Sequence, residues 1–312
     1  MTCLKYGFGL SVFLVGLLVA SKSVQGQAVP GVTEREILIG SCSALEGPSH
    51  FLGTETVTGA KAYLDMINDA GGVDGRKLRL ISYDDSYDPA KTEACFNRLM
   101  EQKVFALAFF VGTPTAVKYL PMAENQRQTA QVGGAIDTVK AAKPEAVVLV
   151  GPANTVAPIL KQSHAKGWKP LFLAVSFVGT DDLIQEAGPD AEGIVVTQVV
   201  PPYYLTEHKT VALYRRMLAK YYPSAQPNFV SLEGFVDAMT LVEGLKRAGK
   251  ELTREGLIRG IESIHEFDTG LGSQLKLDYC AKDHKGFDHV IPTVVRGGRA
   301  VPFTDWSTVT SK

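Results

Sequence analysis

The sequence predicts an α/β fold built on parallel sheets. Three observations carry that expectation: short apolar, β-branched runs recur along the chain, segments of helical period separate them, and the residues between them are those that start helices. Glu36 to Cys42 (EILIGSC) reads as a strand buried on both faces. Val57, Ala60, Leu64 and Ile67 fall at helical spacing, and Gly71-Gly72 ends that helix. Leu78 to Tyr83 is a second strand. Asp88-Pro89 supplies an N-cap and a first-turn proline for a helix reaching about Gln102. Val104 to Phe110 is a third strand, and Thr113-Pro114 opens a third helix in the same way.

The second half resumes the alternation. Ala146 to Val150, Pro170 to Val175 and Gly193 to Val199 read as strands, with helices over Thr155 to Lys166 and Thr180 to Ala187. Three helices then follow in a row: Thr206 to Tyr221, Leu232 to Ala248 and Thr253 to Ser263. Gln274 to Leu277 and Val290 to Arg296 are expected to close the chain as an antiparallel hairpin with a long loop.

The alternation breaks at ENQRQTAQVGGAID, Glu124 to Asp137. From Thr115 to Ala142 only helical pattern is present, yet Pro121 and Gly133-Gly134 disfavour one continuous helix. Two helices are expected to abut near Arg127, without the strand that should lie between them.

Composition and the N-terminus bound the function. The chain has 312 residues and is 45% hydrophobic, enough for one large or two ordinary cores. Its formal net charge of −1 gives no reason to expect a nucleic-acid or membrane-surface partner. Lys5, the apolar run Phe8 to Ala20 and the following Val24-Gln25-Gly26-Gln27-Ala28 have the order of a secretory signal cleaved after Gly26 or Ala28. The run is shorter than the about 20 residues of a spanning helix. Loss of residues 1–26 removes Lys5 and Lys22 and leaves 30 basic against 33 acidic residues, net −3. Cys42, Cys95 and Cys280 remain, an odd number that leaves at least one thiol unpaired within the chain. A Cys42–Cys95 bridge is one arrangement; the sequence does not give their distance.

GVTEREILIGSCSALEGP, DMINDAGGVDGRKLRLISYDDSYDP, VGTPTAVKYLP and SLEGFVDAMTLVEGLKRAGKELTREGLI closely resemble the extracellular substrate-binding proteins of ABC importers, in their leucine/branched-chain amino-acid-binding-like group. The resemblance covers nearly all of the chain after the signal. It implies two Rossmann-like lobes with parallel sheets, the type I periplasmic-binding-protein arrangement, joined by three crossing segments and closing on a small molecule. It also implies boundaries: signal peptide 1–26, an incomplete N-terminal lobe 27–126, an incomplete C-terminal lobe 127–200, a crossover and helices largely returning to the N-terminal lobe over 201–264, and final strands and tail over 265–312. After PMAENQ such proteins continue with further strands of the first lobe; here the chain passes directly to a helix of the second. At least two strand–helix units are absent by that comparison, on the order of 60 residues.

Candidate ligand contacts follow from strand ends, where ligands of open α/β sheets bind. Gly112, Thr113 and Thr115 combine close backbone approach with free N–H groups and hydroxyls suited to a carboxylate; Thr113 serves equally as a plain helix cap. Gly151 and Asn154 occupy the matching loop of the other half, where Asn154 also fits a cap. Ser43, Leu45, Phe51 and Leu52 follow the first strand; the resemblance puts that loop at the cleft, and Phe51 and Leu52 suit either an apolar ligand part or the core. Ser176 and Phe177 follow a second-lobe strand. Leucine-type relatives carry an acid at the place of Ser176 to meet the ligand ammonium, so an aromatic or aliphatic carboxylate is as consistent with this loop as an amino acid, with Phe177 stacking on a ring. Asp181 or Asp182 can supply the charge instead, although acids also favour a helix start there. Asp84, Asp85 and Asp88 read as turn and capping residues.

No cofactor or metal is expected. Cys280, Asp283, His284, Asp288 and His289 crowd together, but their spacing matches no paired-ligand pattern. No nucleophile elbow, phosphate loop or His-Glu-x-x-His pair is present, so the sequence does not read as an enzyme. The expected role is periplasmic capture of an amino acid or small carboxylate for an inner-membrane ABC permease and its ATPase. The alternatives are a ligand-binding sensory receptor subunit and a truncated relic that no longer binds. Strands lost from two parallel sheets would leave apolar faces and strand edges uncovered, so weak stability is expected.

Overall fold

The computed structural model describes residues 29–116 and 135–310. Their elements build two α/β layers. In the first, β1 (Glu36–Ser43) is flanked by β2 (Lys77–Asp84) and β3 (Ala106–Leu107), all parallel, in the order β2-β1-β3. β1 and β2 pair over their full length, from Glu36 opposite Lys77 to Ser43 opposite Asp84. β1 is buried on both faces, which is why its sequence is a continuous apolar run. Ile37 and Ile39 face one core, and Leu38 and Cys42 the other.

The larger core lies under α1 (His50–Asp69), α6 (Lys209–Tyr221), α7 (Phe229–Ala248) and α8 (Arg254–Glu262). The smaller lies under α2 (Pro89–Glu101), where Cys95, Leu99 and Val104 meet Leu38 and Cys42. Helix starts are specified locally. Asp88 accepts from the Ala90 N–H with Pro89 behind it, Asn228 from the Ser231 N–H, and Thr253 from the Gly256 N–H. Cys42 and Cys95 form a disulfide between β1 and α2, with Cα atoms 6.1 Å apart; Cys280 is a free, exposed thiol.

The second layer is a five-stranded sheet in the order β10-β9-β6-β5-β4. β4 (Ala146–Leu149), β5 (Leu171–Val175) and β6 (Val195–Gln198) are parallel; β9 (Ile291–Arg296) runs antiparallel to β6, and β10 (Arg299–Pro302) antiparallel to β9. α4 (Ala153–Ala165) and α5 (Thr180–Ala187) cover one face and enclose Leu160, Phe172, Leu183 and Val196. α3 (Ala135–Ala141) precedes β4, and α9 (Ser307–Thr310) ends the described chain. β4 is the outermost strand. Val148 and, just past the strand, Val150 are 66% and 74% exposed. Such exposure is unusual for valines at a parallel strand.

The structure corrects two expectations. The last strands do not form a hairpin with each other: Lys276–Leu277 (β8) pairs with Phe267–Asp268 (β7), while β9 joins β6 and turns through Gly297-Gly298 into β10. The third strand is two residues long instead of seven, because the chain adopts a left-handed conformation at Phe109, φ 62°, and leaves the sheet. The expected meeting of two helices near Arg127 lies outside the described residues, as does the N-terminal signal. No helix among the described residues is long and apolar enough to cross a membrane.

Candidate functional site: a cavity between the two layers

A cavity of about 180 Å3 lies where the two layers meet. From the first layer, α1 contributes Leu52 and Thr56, and the loop after β3 contributes Phe110, Val111 and Gly112. From the second, Ser176 and Phe177 enter on the single 3-10 turn (Ser176–Val178) that follows β5. α7 completes the wall with Val230, Glu233 and Asp237. Their spacing of three and four residues puts all three side chains on one stripe of that helix. The volume is below the 300–1,000 Å3 usual for drug-sized ligands and suits a small one.

Gly112 has no room for a side chain. Its φ is 119°, and a Cβ there would lie 2.7 Å from both the Thr115 hydroxyl and the Tyr87 ring. Tyr87 also approaches Phe177, ring centroids 6.3 Å apart, so an aromatic pair spans the two layers beside the cavity. Burial pushes the Tyr87 phenol up to about 12.

Of the candidate residues, Leu52, Gly112, Ser176 and Phe177 are brought together on this wall. Phe51 is adjacent, next to Gly179, which packs against the first turn of α1. The others are placed elsewhere. Ser43 is fully buried at the end of β1, and its hydroxyl donates to the Phe109 carbonyl at 2.7 Å. The Leu45 N–H donates to Asp84 Oδ1. Thr115 is buried and its hydroxyl donates to the Val111 and Gly112 carbonyls, while Thr113 is exposed. Gly151 and Asn154 sit at the start of α4, with Asn154 Oδ1 buried and unpartnered. Asp181 is engaged across the layers: it accepts from the Tyr203 hydroxyl at 2.9 Å and from the Phe229 N–H at 3.2 Å, capping the first turn of α7.

Glu233 and Asp237 are the site residues the sequence reading missed. Glu233 is partly buried. The Ser176 hydroxyl hydrogen-bonds its carboxyl, but Oε1 is sealed from water with no hydrogen-bond partner. Burial, with the Asp237 charge second, pushes Glu233 up to about 8, while Asp237, one turn further on, is exposed. Tyr279 lies near Asp237, and Glu55 and Asp181 hold the start of α7 through the Asn228 side chain and the Phe229 N–H. Among the described residues on the cavity wall none is Lys, Arg or His.

A carboxyl raised in the folded state stabilises most below its unfolded value and loses that contribution as pH climbs to the folded one. The ligand-free protein should therefore become less stable between about pH 4.5 and 8 through Glu233. Glu233→Gln should flatten that fall, melting about 2–4 °C higher than the parent at pH 8, a change of about 1 kcal/mol. Thermal melts across this pH range test it; parallel profiles for the two proteins would refute it.

Two α/β layers that close a small cavity between strand-end loops define a ligand-binding protein of the bilobed type. A sequence model of the family described as "Periplasmic binding protein" matches residues 36–130 and 126–298, and the chain belongs to that family. The two matches meet where the strand–helix alternation breaks. The chain is 32% identical over 69 residues to the Leu/Ile/Val-binding protein of Escherichia coli K12, covering 22% of this chain and 19% of that protein. To the Leu/Ile/Val-binding protein of Citrobacter freundii it is 26% identical over 167 residues, 54% of this chain and 38% of that protein. These matches thus span well under two thirds of the curated relatives.

Among solved structures, a possible leucine/isoleucine/valine-binding protein from Rhodopirellula baltica superposes with a TM-score of 0.81 at 24% identity, over 91% of this chain and 100% of that one. A fatty acid ABC transporter substrate-binding protein from Thermomonospora curvata gives 0.77 at 19% identity, over 88% and 93%. At these identities the likeness establishes the type I fold.

Proposed function

We propose that this chain is a periplasmic solute-binding protein that captures an amino acid or small carboxylate and delivers it to an inner-membrane ABC permease and its ATPase. The observation that carries the reading is the small cavity itself, walled from both layers by Gly112, Ser176 and Phe177 at strand-end loops, by Leu52 on α1 and by one stripe of α7. Several proteins similar to this chain are named for binding leucine, isoleucine and valine, and one for fatty acids, so both ligand classes belong in the test. Export through a cleaved signal over residues 1–26 accompanies this reading, and the Cys42–Cys95 disulfide suits an oxidising compartment.

A shortened first lobe belongs to the same proposal. The family match in two pieces that overlap at 126–130, and the exposed valines in and just past β4, favour an internal loss around residue 127. A chain so shortened that it no longer binds is the competing reading. Thermal melts of the chain from residue 27, with amino acids and with aliphatic and aromatic carboxylates, decide between them. At about 100 times its Kd a ligand should raise the Tm by roughly 5–10 °C. A cooperative melt that no compound moves would favour the relic.

A further inference from the structure

Asp181 stands at the junction of the two layers without lining the cavity. It belongs to the first turn of α5, in the second layer, yet both of its oxygens are engaged elsewhere. Oδ2 accepts from the N–H of Phe229, the first residue of α7, at 3.2 Å. Oδ1 accepts at 2.9 Å from the hydroxyl of Tyr203, on the segment that leads from β6 to α6. The Phe229 N–H is one that an α-helix cannot pair internally, and the positive end of the helix favours a carboxylate beside it. Tyr203 is held in turn: its ring meets Phe229 edge to face at 5.3 Å, and its carbonyl accepts from Arg215 on α6 at 3.3 Å. From the first layer, Glu55 of α1 accepts from the Asn228 amide at 2.7 Å. The start of α7 is thus held by both layers, and Asp181 is the second layer's hold on it. Its place in the chain gives that hold a consequence. Asp181 lies four residues after Phe177, and the N–H it binds lies one residue before Val230; both neighbours line the cavity. One hydrogen bond therefore ties together two cavity walls that come from different layers. A ligand touching both walls binds the arrangement in which they are close, so a bond that favours this arrangement adds to affinity without touching the ligand.

We infer that Asp181 is a positioning residue for the cavity: through the Phe229 N–H and the Tyr203 hydroxyl it holds the start of α7 against α5 and sets the spacing of the two walls. The inference rests on the solute-binding reading and adds to it the residue that fixes the width of the site. Tyr203 supports Asp181 and contributes less, because its bond does not reach α7 itself.

Calorimetry and small-angle X-ray scattering on the chain from residue 27 test it, with L-leucine, L-phenylalanine and hexanoate as probes. Asp181→Ala should weaken binding of any probe that the parent binds by about tenfold or more, since a hydrogen bond to a charged group across the layers is lost. Its ligand-free radius of gyration should exceed the parent's, while its ligand-free melt falls by less than about 4 °C. Asp181→Asn should recover most of the affinity, because the amide oxygen accepts from the Phe229 N–H and the amide nitrogen donates to the Tyr203 oxygen. Tyr203→Phe, which leaves the Phe229 contact in place, should weaken binding about threefold. A purely structural part for Asp181 would lower the melt and leave affinity and radius as they are. Unchanged affinity in Asp181→Ala overturns the inference and leaves the solute-binding reading standing, as does a loss in Asp181→Asn equal to that in Asp181→Ala. Should Asp181→Ala not fold, Tyr203→Phe carries the test, and unchanged affinity there overturns the inference. If no probe binds the parent, the scattering decides: a larger ligand-free radius in Asp181→Ala supports the inference and equal radii overturn it. The solute-binding reading then falls only if a wider panel of solutes also leaves the parent's melt unmoved.

Discussion

Replacing Gly59 or Gly234 by alanine should destabilise the first layer by about 3 kcal/mol or more. α1 and α7 pack backbone against backbone at these residues. A Cβ on Gly59 would lie 1.7 Å from the Ser231 carbonyl oxygen, and one on Gly234 would lie 2.2 Å from the Thr56 carbonyl oxygen. Neither obstacle is a side chain that can rotate away, so the helices must part. Parting them opens the largest core, where Tyr63 meets Phe235 edge to face at 4.9 Å and Tyr214 hydrogen-bonds Ser231 at 2.6 Å. Overpacking a core costs about 1–3 kcal/mol and occasionally more. A clash with helix backbone belongs at the upper end, against a total stability of about 5–15 kcal/mol. Thr56, Val230 and Glu233 flank the crossing, so any surviving fold should also bind ligand poorly. Circular-dichroism melts of each variant check this; a Tm within about 2 °C of the parent would mean that the two helices do not touch here.

That crossing also shows what the sequence discloses and what it conceals. α7 reads clearly as a helix because its apolar residues keep helical period over SLEGFVDAMTLVEGL and Asn228 caps it. β1 is equally legible, since burial on both faces demands the apolar run it has. Glu233 and Asp237 were hidden by the same periodicity: on a helix buried nearly all round they pass for solvent-facing positions. The signal was present, since two acids four apart interrupt an apolar helix on one stripe, but only the fold shows that the stripe faces the second layer. Ser43 misleads in the opposite sense. It looks like the first loop residue after a strand, whereas β1 continues through it and its hydroxyl is bound to the Phe109 carbonyl. Pairings distant in sequence are the least legible. β9 joins β6 about a hundred residues earlier, opposite Val195 to Gln198, a choice made by sheet order and not by any local turn.

Removing the Cys42–Cys95 disulfide should cost about as much as parting those helices. The bridge closes a loop of 53 residues, and loop-closure entropy for that length gives about 4 kcal/mol. The surroundings make the loss local. α2 is held to the sheet by a small satellite core, Leu38, Leu99 and Val104 around the two cysteines, with Arg98 stacked on Tyr83 at 3.8 Å. Without the bridge this helix has little else to anchor it, so it should open before the rest of the layer. Replacing both cysteines by alanine should lower the Tm by roughly 8–16 °C, the span that about 4 kcal/mol produces in a domain of 150–250 residues. Because Cys42 and Cys95 are buried, a mild reductant should act on the folded protein only slowly. Thiol titration of the denatured chain from residue 27 gives an independent count: one reactive thiol, Cys280, before reduction and three after it. Three thiols without reductant, or a double-alanine variant that melts with the parent, would show that α2 is held by packing alone.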